Sequence, residues 1–224
     1  MDDVVRKAPL FTALDDEAAQ AVGETMSEVR LAKGDVLFHE GDGGDSLYVI
    51  AEGKIKLGTK APDGRENLLS LLGPGEMFGE LSLFDPGPRT STATALTDVH
   101  LLALSHNHLE HWLTGRPEVA KHLLRALAQR LRRTNEVVGD LVFSDVPGRV
   151  AKALGDLAKR FGTSSSDGIY VAHDLTQEEL AQLVGASRET VNKALADFAS
   201  RGWLRLEARA VVILDEERLA KRAR

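Results

Sequence analysis

The most regular pattern of apolar and polar positions lies between residues 117 and 142, where no glycine occurs before Gly139. Its apolar positions recur at alternating steps of four and three residues, the spacing of a coiled-coil a/d seam. The seam consists of Ala120, Leu124, Leu127, Leu131, Thr134, Val138 and Leu141. With Pro117 in its first turn and about 1.5 Å of rise per residue, the predicted helix is roughly 40 Å long. We expect this seam to meet its own copy in a homodimer.

One position of the seam is polar: Thr134, which is followed by Asn135. A polar residue in a seam can fix the register of two helices at some cost in stability. Alternatively, Thr134 and Asn135 contact a ligand held between the helix and the domain before it. The spacing alone leaves both interpretations open.

From Val29 to Leu104 the pattern changes to short runs rich in Val, Leu and Ile, separated by turn segments such as Gly41–Asp45 and Pro62–Gly64. Many short strands with glycine-rich corners are typical of an antiparallel sandwich or barrel. Since helices are predicted for most of the remaining chain, the expected fold class is α+β.

The segment after the long helix begins with Asp145–Gly148, which we interpret as a hinge. An amphipathic helix is predicted from about residue 150 to 161, and residues 162–168 (GTSSSDG) are expected to form a polar loop. The basic tail KRAR ends the chain.

The sequence after this loop predicts two helices joined by a turn that contains a glycine. Thr176 and Glu179 match a capping box, which predicts a helix that buries Leu180 and Leu183. Gly185 permits a tight turn, and Ser187 is the expected N-cap of a second helix beginning at Arg188. This succession is the helix-turn-helix pattern.

The second helix has a polar face near its start, formed by Arg188, Glu189, Asn192 and Lys193. A recognition helix presents its base-reading residues there, and Arg suits guanine O6 and N7. The charge pattern alone fits a solvated helix face equally well, but the two caps, the glycine turn and a following apolar hairpin favour DNA binding. That hairpin would be the wing, with Arg205 and Arg209 near phosphates.

Length, charge and cysteine content narrow the function classes. The 224 residues allow one or two domains. With no cysteine, disulfides, thiolate iron–sulfur clusters and cysteine nucleophiles are excluded. The net charge is −6, yet residues 145–224 hold 13 Lys and Arg against 12 Asp and Glu, so DNA contacts are expected there. We expect a cytoplasmic chain without a signal peptide or membrane span, and no enzyme, because neither a nucleophile elbow nor HExxH occurs.

The stretch around FGELSLFDPGPRTST (Phe78–Thr92) offers a candidate anion site. A short helix beginning near Gly79 would point backbone N–H groups outward, and Arg89 and Thr90 would add a charge and a hydroxyl. Glu80 fits such a site only if it accepts bonds from sugar hydroxyls. On spacing alone, a surface loop with a structural Arg–Glu pair is the more ordinary interpretation.

Two motifs carry a family resemblance. FGELSLFDPGPRTSTATA resembles the phosphate-binding cassette of cyclic-nucleotide-binding domains, and DLTQEELAQLVGASRETVNKAL resembles the helix-turn-helix of the cyclic AMP receptor protein family. The stretches DPGPRT and DVPGRVAKAL are similar to actinobacterial members. The resemblance implies a cupin-like β jelly roll (1–115), a dimerisation helix (116–143) and a winged helix-turn-helix (144–224).

The resemblance also implies a function: a cyclic-AMP-responsive transcription regulator that binds double-stranded DNA as a homodimer and contacts RNA polymerase, without a metal. Cyclic AMP would contact Gly79, Glu80, Leu81, Ser82, Arg89, Thr90, Thr134 and Asn135, and DNA would contact Thr176, Gln177, Ser187, Arg188, Glu189, Thr190, Asn192 and Lys193. In this assignment Glu80 would hold the ribose 2′-hydroxyl, and Thr134 and Asn135 would meet the adenine.

Three departures weaken parts of this assignment. Thr90 stands where the family usually has Ser, Asn135 replaces a Ser or Thr, and Lys193 replaces an Arg and loses its bidentate geometry. The alternatives are a regulator of the same architecture that ignores cyclic AMP or senses another effector, and a signalling module that does not bind DNA.

Overall fold

The computed structural model describes residue 8 and residues 16–85, 87–108 and 117–223. Contacts divide the chain into two units, one formed by residues 1–59 and 70–133 and the other by residues 60–69 and 134–224. Within the described ranges, no helix combines the length and apolar character that a membrane span requires.

Eight strands are described between residues 27 and 105. They are β1 (Ser27–Leu31), β2 (Val36–Phe38), β3 (Ser46–Glu52), β4 (Ile55–Lys60), β5 (Glu66–Leu72), β6 (Met77–Phe78), β7 (Thr92–Ala95) and β8 (Val99–Ser105). They form two four-stranded sheets, in the orders β1-β8-β3-β6 and β2-β7-β4-β5. Every strand pairing for which a register is resolved in these sheets is antiparallel.

Alternating side chains of both sheets meet in one core. Ile50 on β3 and Leu101 on β8 come from one sheet, and Ile55 on β4 and Ala93 on β7 come from the other. All four side chains are fully buried. Two antiparallel sheets that bury their inner faces against each other form the predicted sandwich, so the jelly-roll fold is confirmed.

Three helices are described in this part of the chain: one precedes the strands, one lies between β6 and β7, and one follows the strands. They are α1 (Asp16–Thr25), α2 (Leu81–Phe84) and α3 (Pro117–Phe143). The described residues also show helical backbone from His106 to His108. The predicted long helix is confirmed as α3, and its seam is largely uncovered within one chain, with Leu124 66% and Leu131 62% exposed.

The remaining elements belong to the second unit. They are α4 (Val146–Phe161), β9 (Gly162–Ser165), β10 (Gly168–Val171), α5 (Gln177–Val184), α6 (Arg188–Ser200), β11 (Leu204–Glu207), β12 (Ala210–Ile213) and α7 (Glu216–Arg222). The four strands form one antiparallel sheet in the order β11-β12-β10-β9. Helices α5 and α6 with the β11–β12 hairpin form the predicted winged helix-turn-helix.

Two local predictions were wrong in this unit. GTSSSDG was predicted to be a loop, but its first four residues form β9. These residues have low strand propensity, yet pairing with β10 satisfies their backbone hydrogen-bonding groups. The expected hinge coincides with the break between α3, which ends at Phe143, and α4, where Asp145 is the N-cap and Pro147 lies in the first turn, a position that needs no backbone N–H. Leu183 is only half-buried, and Ala181 and Val184 complete the buried face of α5 with Leu180.

The first two residues of the basic tail, Lys221 and Arg222, belong to α7. Arg222 in its last turn hydrogen-bonds Asp145, and this bond, with a second one from the Gly148 N–H, holds the pKa of the Asp145 carboxyl below its usual range. The N-cap of α4 is therefore tied to the end of α7.

Candidate functional site

The cassette between β6 and β7 places one arginine inside the jelly roll. Arg89 is only 4% exposed. Its Nη1 donates a 2.9 Å hydrogen bond to the Gly79 carbonyl, and its Nη2 donates a 2.9 Å bond to the Ser46 carbonyl. The Nε atom is buried and has no hydrogen-bond partner among the described residues. A buried charge with a spare donor is costly unless a further acceptor satisfies it.

An aromatic cluster lies beneath this guanidinium. The Cζ atom of Arg89 lies 4.3 Å from the ring centroid of Phe38 and 5.7 Å from that of Tyr48, within the range of cation–π attraction. Tyr48 stacks on Phe78 with 5.4 Å between ring centroids. Burial raises the pKa of the Tyr48 hydroxyl, and Arg89 partly opposes this rise. The rings thus fix the plane in which Arg89 lies.

Glycine is required where the cassette approaches Arg89. Gly79 has φ +81°, and a Cβ atom there would lie 2.8 Å from Arg89 Nη1 and 3.0 Å from the Ser46 carbonyl oxygen. Helix α2 begins two residues later than expected and has only four residues. Since the helix dipole sums over successive peptides, so short a helix contributes little, and the positive charge of the site comes from Arg89.

A small cavity lies beside Arg89. It is lined by Phe38, Leu57, Gly79, Glu80, Leu81, Ser82, Arg89, Thr90 and Ser91. Glu80 is 1% exposed, Ser82 7% and Ser91 8%. A buried guanidinium, a buried carboxylate and two buried hydroxyls in one cavity suit a ligand that combines an anionic phosphate with sugar hydroxyls.

The structure therefore brings six of the predicted ligand residues to one cavity: Gly79, Glu80, Leu81, Ser82, Arg89 and Thr90. Leu81 is 42% exposed and Thr90 is exposed. Thr134 and Asn135 are exposed on α3 and belong to the second unit, so their contact with a ligand remains a prediction.

The helix-turn-helix forms through the predicted caps. The Thr176 hydroxyl accepts from the Glu179 N–H at 3.1 Å, and the Thr176 N–H donates to Glu179 Oε2 at 2.8 Å, which completes the capping box. Gly185 ends α5 in the left-handed region at φ +69°. Ser187 caps α6 by accepting from the Thr190 N–H, and the two hydroxyls also share a 2.8 Å bond.

The polar residues at the start of α6 differ in the hydrogen bonds that they make. Lys193 donates a 2.8 Å hydrogen bond to Glu189, one turn before it. Asn192 is half-buried and donates from Nδ2 to Gln177 Oε1 at 3.0 Å. Arg188 is exposed and makes no hydrogen bond or ion pair within the described part of the chain. It is thus the cation most available to a base edge.

The two arginines of the wing, Arg205 and Arg209, also have partners within the chain. Arg205 binds Asp167 at 3.0 Å and Glu207 at 3.4 Å, and the hydrogen bond from Arg205 holds the pKa of Asp167 below its usual range. Arg209, which has φ +56°, donates to the Asp174 carbonyl at 3.3 Å. Their expected proximity to phosphates remains a prediction.

Sequence reasoning missed the partners that hold these groups. Phe38, Ser46 and Tyr48 reach Arg89 from strands about 40 to 50 residues earlier, and Asp167 reaches Arg205 from another turn. An isolated aromatic or carboxylate carries no local signal of such a contact. Only the pairing of strands brings these residues together.

The fold and the cavity define a class: a β jelly roll with a buried arginine beside a small polar cavity, followed by a winged helix-turn-helix. A model of the cyclic nucleotide-binding domain matches residues 28–115, and a model of the Crp-like helix-turn-helix domain matches residues 148–222. The chain is 56% identical over 224 residues, the full length of both proteins, to a CRP-like cAMP-activated global transcriptional regulator of Mycobacterium tuberculosis. The chain belongs to this family of CRP-like transcriptional regulators.

Two solved structures are also similar. The N-terminal domain of a transcriptional regulator from Streptomyces coelicolor is 64% identical, covers 64% of this chain and 99% of its own, and has a TM-score of 0.52. The c-di-GMP-responsive global regulator of Xanthomonas campestris is 26% identical, covers 89% of this chain and 99% of its own, and has a TM-score of 0.76.

Proposed function

We propose that this protein is a cyclic-AMP-responsive, sequence-specific transcription regulator that binds palindromic DNA as a homodimer. The observation that carries the ligand assignment is the buried Arg89, whose Nε donor lacks a partner among the described residues. A cyclic phosphate supplies one negative charge and acceptor oxygens, which suits such a donor. The CRP-like relative from Mycobacterium tuberculosis, whose full length is aligned with this chain, is named as cAMP-activated.

The cavity residues divide between two parts of the ligand. Arg89 and Thr90 would bind the phosphate, and Glu80, which is buried in the same cavity, would accept a bond from the ribose 2′-hydroxyl. Gly79 and Leu81 would offer backbone atoms, and Ser82 a hydroxyl. Thr134 and Asn135 would contact the adenine, one of them from the partner chain.

The homodimer would form along the apolar face of α3. Leu124, Leu131, Val138 and Leu141 are each at least 50% exposed within one chain. An apolar stripe of this length is stabilised when a second copy covers it. Two copies of α6 would then face two half-sites about one helical turn apart, which requires a palindrome.

DNA reading would be performed by α6 and its neighbours. Arg188 and Glu189 would contact base edges from the first turn, and Lys193 would contact a phosphate or a purine. Thr176, Gln177, Ser187, Thr190 and Asn192 would complete the contact surface. RNA polymerase would be the protein partner of the DNA-bound dimer.

The test combines two titrations of the full-length protein. Fluorescence anisotropy on a TGTGA-type palindrome and a scrambled duplex, at fixed salt, should show tighter binding to the palindrome and a further gain with cyclic AMP. Calorimetry should show cyclic AMP binding that Arg89→Ala removes.

The alternative effector is tested in the same calorimeter. Cyclic GMP and c-di-GMP are titrated separately, the second because a solved relative is described as responding to it. Binding of either in preference to cyclic AMP would assign the site to another effector, and failure to bind DNA under any condition would refute the regulatory function.

A further inference from the structure

One side-chain pair links the two helices of the DNA-binding motif. Asn192 on α6 donates from Nδ2 to Oε1 of Gln177, the first residue of α5, at 3.0 Å. Gln177 is exposed, whereas Asn192 is half-buried between the helices. These two residues are 15 positions apart in the sequence. The bond therefore fixes a side chain at the start of one helix by means of the other.

The geometry argues against base reading by Asn192. A bidentate contact to adenine needs both amide atoms, with the oxygen accepting from N6 and the nitrogen donating to N7. The Oδ1 atom of Asn192 is buried and has no partner within the described ranges, and its Nδ2 is used by Gln177. Because Oδ1 is enclosed, Asn192 cannot make this bidentate contact as it lies, and the one N–H left on Nδ2 would not by itself identify an adenine.

Gln177 is differently placed. Its Oε1 accepts from Asn192, so its Nε2 group points away from that bond and makes no hydrogen bond with the described residues. The first helix of a helix-turn-helix crosses the DNA backbone, and amide donors are common phosphate contacts. A fixed Gln177 thus presents a neutral donor to a phosphate at low cost in side-chain entropy.

We infer that Asn192 is a positioning residue that aims the Gln177 amide at a backbone phosphate, and that it reads no base. This inference rests on the proposed DNA-binding function. According to this inference, Asn192 contributes to DNA affinity by positioning Gln177, and the preference for a DNA sequence comes from Arg188 and its neighbours.

The experiment is a double-mutant cycle on the full-length protein with saturating cyclic AMP. Gln177→Ala, Asn192→Ala and the double variant are titrated by anisotropy on the palindrome and on the scrambled duplex, at three salt concentrations. Gln177→Ala should weaken binding to both duplexes by the same factor, about 5-fold to 150-fold, because each half-site of the dimer loses one hydrogen bond. The salt slope should not change, since an amide neutralises no phosphate charge.

Asn192→Ala should weaken both duplexes similarly, but it should cost nothing further in the Gln177→Ala background, because both variants remove the same contact. Thermal unfolding of Asn192→Ala should change little, since the buried Oδ1 has no partner to lose and the one bond that is lost is made to an exposed side chain. A selective loss on the palindrome, or additive losses in the cycle, would overturn the inference. Absence of binding by the wild type would instead refute the proposed function itself.

Discussion

The Gly79 backbone lies directly against the Arg89 guanidinium, and replacing this glycine is an informative perturbation of the ligand site. In Gly79→Ala the new Cβ would lie 2.8 Å from Arg89 Nη1 and 3.0 Å from the Ser46 carbonyl oxygen. Both are too short for carbon, so the guanidinium must move away from the two carbonyls that it now contacts. The displaced Arg89 would also leave the face of the Phe38 ring.

Gly79→Ala should lower both the folding stability and the affinity for cyclic AMP, and these two effects can be measured separately. An alanine at a φ near +81° costs about 1–2 kcal/mol of folding stability, whatever surrounds it. Displacing Arg89 removes at least one charge-assisted bond to the nucleotide phosphate, worth about 1.5–3 kcal/mol. The second effect raises the dissociation constant for cyclic AMP by about 10-fold to 150-fold.

Gly64 provides a matched control. Its φ is +88°, but a Cβ there would meet no atom within 4 Å. Gly64→Ala should therefore lose about the same stability in thermal unfolding and retain wild-type affinity in calorimetry. In an Arg89→Ala background, Gly79→Ala should lower nucleotide affinity no further.

Two results would refute this reasoning. Wild-type affinity in a folded Gly79→Ala would show that Arg89 does not depend on the space above Gly79. Equal losses of affinity in Gly79→Ala and Gly64→Ala would assign the effect to backbone strain, and not to the contact with Arg89.

Three further predictions concern the dimer and the DNA surface. Leu131→Asp should convert the dimer to a monomer in light scattering without lowering the stability of the monomer, because Leu131 is 62% exposed within one chain. An unchanged dimer would place the interface elsewhere. Asp167→Asn should remove one of the two carboxylates that hold Arg205, the other being Glu207, and so strengthen binding to any duplex and steepen the salt slope. Acidification should act in the same direction once Asp167, whose pKa is lowered by Arg205, gains its proton. Arg188→Ala should weaken the palindrome by about 1–3 kcal/mol per half-site more than a scrambled duplex, and equal losses would make Arg188 a phosphate contact.

The parts of the fold that could be predicted are those with local physical causes. The capping box of Thr176 and the serine cap at Ser187 satisfy N–H groups of their own first turns, so the residues that form them are close in sequence. The apolar spacing of α3 and the short strand runs are equally local. For this reason the helix-turn-helix, the long helix and the sandwich were all predictable.

The wrong predictions concern segments whose structure is set by distant partners. Thr163 to Ser165 has the composition of a loop and becomes a strand because β10 pairs with it, while β10 in turn pairs with β12 about 40 residues later. Leu183 fits the apolar spacing of a buried face, yet it is only half-buried, and Ala181 and Val184 lie on that face with Leu180. In both cases the same residues permit two arrangements, and a contact elsewhere decides between them.

The sequence also does not show which basic residues of the proposed DNA-binding surface are paired with carboxylates. This pairing affects how the protein recognises DNA. Lys193 and Arg205 already bind carboxylates, so on DNA they exchange one anion for another, and exposed ion pairs of this kind contribute little net free energy. Arg188 has no such partner within the described residues, so the guanine contact proposed for it would not be offset by a lost ion pair. The sequence-independent part of DNA binding is thereby reduced relative to the base-reading part. A surface arranged in this way favours discrimination between sites over general affinity, which agrees with a chain whose net charge is −6.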